Sequence, residues 1–197
     1  MKQDQHPLNL GKLLVNFQSL EFALRAFLLK TEEMSGSPFT KFKNLNELSE
    51  GDEVPENAFT NYDTLSQLIE KYNDNPKIRA TGLCIDKKLV DIRDAIAHGR
   101  VSALTPSPPF RLLKFRIPKN NRTKVKFSIL LTQEWYNQQL AYTQKAAITV
   151  AQALEREVAK PKRRIRSEEL HGFNIRLYGL SSRDWNEDVV LDALLAD

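Results

Sequence analysis

The chain has 197 residues, 41% hydrophobic and 27% charged, which is apolar enough for a packed core and argues against wholesale disorder. A formal net charge of +4 tolerates an acidic partner such as RNA without demanding one. A single cysteine, Cys84, excludes an intramolecular disulfide and a cysteine-built metal cage, and it is expected as a buried structural thiol.

Residues 8–31 predict a long helix. Leu10, Leu13, Phe17, Leu20, Leu24 and Phe27 recur at three and four residues, the spacing of a bundle helix. Glu21 interrupts the apolar flank and Arg25 lies one turn on. The two are expected either as an i,i+4 ion pair at the rim of the core or as supporting residues that orient a later helix. Residues 34–59 predict a long loop broken by Ser35, Gly36, Pro38, Gly51 and Pro55. Asn61 is the expected cap of a second helix ending near Asn73, with Tyr62, Leu65, Leu68, Ile69 and Tyr72 facing inward and Asn75-Pro76 stopping it.

The chemistry concentrates in residues 90–100. Leu89, Ile92, Ile96 and Gly99 share one face of a short helix, with Asp86 as its expected N-cap and Gly99 as the residue that closes it. His98 then stands in the last turn, where the helix dipole favours an imidazolium. A histidine titrates near neutral pH and can both take and give a proton. Arg93 stays charged and can hold a phosphate in a fork of donors. Five residues of ideal helix turn through about 500° and rise about 7.5 Å, so Arg93 and His98 are not stacked. They meet one phosphate only by leaning into a shared cleft, which a two-fold partner can build.

Residues 105–109, Thr-Pro-Ser-Pro-Pro, predict a stiff linker. A hairpin follows at about 110–131. Leu113, Phe115 and Ile117 alternate with Lys114 and Arg116, and Val125, Phe127 and Ile129 alternate with Lys124, Lys126 and Ser128, about a turn in 118–123. Strict alternation puts Lys114, Arg116, Lys124 and Lys126 on one water-facing side, which is either an RNA-binding surface or a lysine-guarded edge. Thr132 opens a last long helix over 132–159. Residues 160–166 form a basic run, 173–178 a short strand, and 182–196 a short acidic helix. The expected fold is mainly α: an up-and-down bundle of about four long helices with an inserted β-hairpin and a small C-terminal extension. The expected boundaries are a domain at 1–159 and an extension at 160–197.

His6, His98 and His171 are scattered, and neither a zinc-enzyme His-Glu motif nor a Gly-x-x-x-x-Gly-Lys loop occurs, so no metal or cofactor is expected. No bilayer-spanning stretch and no signal-peptide pattern is present, which makes the cytoplasm the expected compartment.

Arg93, four intervening residues and His98 resemble the R-x4-6-H motif of the HEPN superfamily, the higher eukaryotes and prokaryotes nucleotide-binding domains. The resemblance spans roughly residues 8–159 and is specific only at the motif. It implies a homodimer that faces two motif helices across an axis. It also implies a metal-independent endoribonuclease with Arg93, His98 and Asp94 as catalytic residues. Asp94 stands where that family commonly has a polar residue and would orient His98 of its own helix or of the partner. Family members often act as toxins or phage-defence effectors held by a neutralising protein such as an antitoxin. The alternative is a non-catalytic RNA-, nucleotide- or protein-binding dimerisation module that does not need His98.

Overall fold

A computed structural model describes residues 5–34, 48–102 and 109–158. The basic run, strand and acidic helix expected beyond residue 159 lie outside the described residues, as does most of the proline linker. The described chain is mainly helical, with helices α1 (Gln5–Met34), α2 (Leu65–Asp74), α3 (Pro76–Thr81), α4 (Lys88–His98) and α5 (Gln133–Val158). Strands β1 (Arg100–Ser102), β2 (Arg111–Phe115) and β3 (Val125–Leu130) form one antiparallel sheet in the order β1-β2-β3. Of the helices only α1 and α5 are long, at 30 and 26 residues. The chain divides into two compact units, and α1 and α5 contribute to both.

The first unit contains residues up to Leu20 and Asp86–Ile148. Leu13, Phe17 and Leu20 of α1 and Trp135, Tyr136, Leu140 and Ala147 of α5 are buried in it. Two amides cross-link these helices. Asn9 Nδ2 donates to Gln133 Oε1 at 2.9 Å, and the fully buried Asn16 donates to Thr143 Oγ1 at 3.2 Å. A buried amide left unpaired costs about 1–3 kcal/mol, so these bonds select one register of α1 on α5. His6, in the first turn of α1, bonds through Nδ1 to the Tyr136 hydroxyl at 2.9 Å and packs edge-on to Phe110. Burial holds the His6 imidazole below its ordinary range and pushes the buried Tyr136 phenol up to about 12.

The expected cap of α4, Asp86, stands one residue before the observed one. The cap position is Lys87, while Asp86 Oδ1 accepts the Lys88 amide at 2.9 Å. That amide bond and the Tyr142 hydroxyl hold the Asp86 carboxyl below the usual carboxylate range. Its close is not left-handed: Gly99 is extended, at φ −79° and ψ 176°, and its N–H returns to Ala95 O at 2.7 Å. Glycine is required for space. A Cβ there would stand 2.1 Å from Ala95 O and 2.8 Å from Leu112 Cδ1. The chain therefore passes from α4 into β1 pressed against β2.

The hairpin occupies its expected place, with β1 as an added third strand. Its turn contains Asn120 and Asn121, both at positive φ, where asparagine is tolerated best after glycine. Strict alternation fails. Lys114 pairs with Phe127 but Phe115 pairs with Val125, so Lys126 is an extra residue bulged out of register.

The second unit contains Glu21–Ile85 and continues from Thr149. Leu24, Phe27, Leu68, Ile69 and Tyr72 are its buried centre, with Phe27 and Tyr72 in edge-to-face contact at 4.9 Å. Thr64, not Asn61, caps α2, in a reciprocal capping box with Gln67. Asn61 is drawn instead to Arg25, and Tyr62, expected inside, is 100% exposed. Cys84 is exposed rather than buried.

Gly99→Ala forces the Ala95 carbonyl and Leu112 apart, and a urea titration should show a loss of about 2 kcal/mol. His6 gives a pH signature. Its folded pKa is depressed, so the unfolded chain takes up the proton first as pH falls. The stability it contributes is complete above about pH 6.5 and is lost as pH drops toward the folded value. His6→Gln should therefore flatten the fall in stability that the wild type shows between about pH 7 and pH 5.

Candidate active site on the fourth helix

The motif residues lie on the outer side of α4. Arg93 and Asp94 are about one-third exposed as side chains, at 37% and 34%, and His98 is exposed in the last turn. Leu89 and Ala95 are the buried residues of this helix, while Ile92 and Ile96 are half-buried. Neither member of the guanidinium–imidazole couple is enclosed in hydrocarbon.

Asp94 is the point where the helix and the hairpin meet. Its Oδ1 lies 3.4 Å from Arg93 Nη1 and its Oδ2 lies 3.2 Å from Lys114 Nζ. Lys114 is 16% exposed as a side chain, so its ammonium is held in place rather than waving in water. One turn earlier, Asp91 Oδ1 takes Lys126 Nζ at 2.7 Å. The bulge explains the second pair, because it turns Lys126 to the side that Lys114 and Phe127 occupy.

These placements revise the expected surface. Lys114 and Lys126 are paired to carboxylates of α4, whereas Arg116 and Lys124 have no ion-pair partner among the described residues, so the four cations do not form one unpaired row. Arg100, outside the expectation, lies over the Phe115 ring at 5.5 Å. Asp94 makes no hydrogen bond to His98 among the described residues, and His98 has no ion-pair partner there.

Glu21 and Arg25 form the i,i+4 ion pair that is one of their two expected readings. They pair with each other at 3.1 Å in the second unit. The Arg25 guanidinium also donates to Asn61 O at 2.9 Å, Asn61 Oδ1 at 3.0 Å and Asp63 O at 2.8 Å. Its donors are taken up in fastening the turn before α2, which is why Asn61 is unavailable as a cap.

Searches of family models, of curated proteins and of solved structures found no match to this chain. No cluster of three metal-ligating side chains occurs among the described residues, and no described helix is long and apolar enough to cross a membrane.

The site thus offers two cations about one carboxylate, with an imidazole at the end of the same helix that has no ion-pair partner among the described residues. An arginine fork and a three-donor ammonium suit a phosphate, and an accessible imidazole suits proton transfer. Pairs this exposed contribute less than about 1 kcal/mol to folding. A double-mutant cycle on Asp94→Asn and Lys114→Met, read by urea denaturation, should give a coupling below about 1 kcal/mol. A larger coupling would make the pair a structural clamp.

Proposed function

We propose that this protein is a metal-independent endoribonuclease of the HEPN type. The single observation that carries the reading is the accessibility of both Arg93 and His98 on one short helix, beside a second cation held by Asp94. His98 takes the proton from a ribose 2′-hydroxyl, and that oxygen attacks the adjacent phosphorus. Arg93 and Lys114 stabilise the charge that gathers on the phosphoryl oxygens. The bond to the 5′-oxygen breaks, that oxygen takes up a proton, and the products are a 2′,3′-cyclic phosphate and a free 5′-hydroxyl. The nucleophile belongs to the substrate, so DNA is inert.

The same proposal includes an up-and-down helical bundle and a homodimer with α4 near its axis. A second copy would supply the cleft that a single helix, with Arg93 and His98 on different stripes, does not form alone. A cytoplasmic toxin or phage-defence effector, restrained by an antitoxin or other neutralising protein, is the corresponding role.

One observation favours a second reading, a non-catalytic RNA- or nucleotide-binding module. Asp94 partly neutralises both Arg93 and Lys114, and it leaves His98 without the orienting bond that general bases usually have.

The test is RNA cleavage in excess EDTA with analysis of the ends. The wild type should release cyclic-phosphate ends, and His98→Ala and Arg93→Ala should each lower the rate by about 100-fold or more. RNA that stays intact with the wild type, yet binds equally to His98→Ala, would replace the nuclease with the binding module.

A further inference from the structure

The sheet ends on an open strand. β3 pairs with β2 on one side, and no described strand lies on its other side. Just beyond β3, Leu131 N–H donates to Phe110 O at 2.8 Å. In an antiparallel ladder the residues that bond to one neighbour alternate, so Phe127 and Ile129 turn their backbone groups to β2, and Ser128 and Leu130 turn theirs outward. Neither the Ser128 nor the Leu130 amide has a partner among the described residues. Beside this edge, within the first unit, lies a shallow groove of about 450 Å³ whose lining includes Leu130, Glu134, Trp135 and Gln138. A row of unpaired N–H and C=O groups is a template for a further strand. β3 has six residues and the opposite edge, β1, has three, so β3 is the longer template.

The chain carries a segment that fits it. Residues 173–178, outside the described residues, read Phe-Asn-Ile-Arg-Leu-Tyr, with Phe173, Ile175 and Leu177 alternating with Asn174, Arg176 and Tyr178. A strand this short is not stable by itself and needs a sheet to join. The tether is long enough. Helix α5 starts beside β3 and its 26 residues run about 39 Å, while residues 159–172 span up to about 46 Å when extended. Tethering also raises the local concentration to the order of millimolar, which favours this segment over the same one from a second copy.

Charge sets the direction. Arg116 and Lys124, at the turn end of the hairpin, have no ion-pair partner among the described residues, whereas Glu134 follows the other end of β3. The residues after the candidate strand include Asp184, Glu187, Asp188 and Asp192. They are attracted to the turn end and repelled from the other. We propose that residues 173–178 add to β3 as a fourth, antiparallel strand, bond to the Ser128 and Leu130 amides, and bring the acidic segment beside Lys124 and Arg116.

Amide hydrogen exchange of the full chain, followed by NMR, tests this. Ser128 and Leu130 should exchange at least about 100-fold more slowly than unstructured amides, and exchange at the free rate overturns the proposal. Proline is tolerated on an edge strand only where the lost N–H faced away from the neighbour. Asn174→Pro, Ile175→Pro, Arg176→Pro and Leu177→Pro should therefore divide by parity. One alternate pair should speed exchange at Ser128 and Leu130 by at least about tenfold, and the other pair should leave it within about twofold. Phe127 and Ile129 should stay protected in all four variants, which separates lost pairing from lost folding. Four equal effects, or none, overturn the proposal. Protection that rises with protein concentration gives the edge to a second copy and overturns it too. Leu130 should show nuclear Overhauser contacts to residues 173–174 and none to 177–178; the reverse overturns the direction.

Discussion

Gly99 has room for a hydrogen atom and nothing larger. With the Ala95 carbonyl and Leu112 crowding the same point, the missing side chain lets the end of α4 lie directly against β2. The candidate chemistry depends on that closeness. It brings Lys114 to Asp94, two residues 20 positions apart in the chain. A bulkier residue would still permit a helix and a hairpin, but not this contact between them.

The ion pairs along the α4–hairpin seam are consequences of that approach rather than its cause. Each is partly open to water, where Coulomb attraction is screened and the entropy of two long side chains offsets much of what remains. Their importance is positional. Asp94 holds two cations at a common place, and Asp91 keeps a third nearby. The buried amides between α1 and α5 are the opposite case. They are few, but their desolvation makes any other register costly.

Much of the local structure was legible in the residues. The apolar periodicity of α1, the Thr132 opening of α5, the hairpin and the short helix bearing Arg93 and His98 are where the pattern puts them. The failures have definite causes. Asn61 looked like a cap, but the Arg25 guanidinium competed for it and Thr64 with Gln67 made the better box. Tyr62 counted as core on helical spacing, yet it precedes the helix and so has no helical face to share. The cationic side of the hairpin assumed period two throughout, and a single bulged residue was enough to defeat it.

The sequence by itself determined which segments are helical or extended, because periodicity and capping are short-range properties of neighbouring residues. It also singled out the arginine and histidine of α4, since few other side chains on a short amphipathic helix can bind phosphate and move a proton. Only the tertiary structure decided that Lys114 stands beside Asp94, that Lys126 pairs with Asp91, and that Arg25 fastens the turn before α2. Those facts depend on contacts between residues far apart in the chain, set by steric limits such as the one at Gly99, which no local pattern encodes.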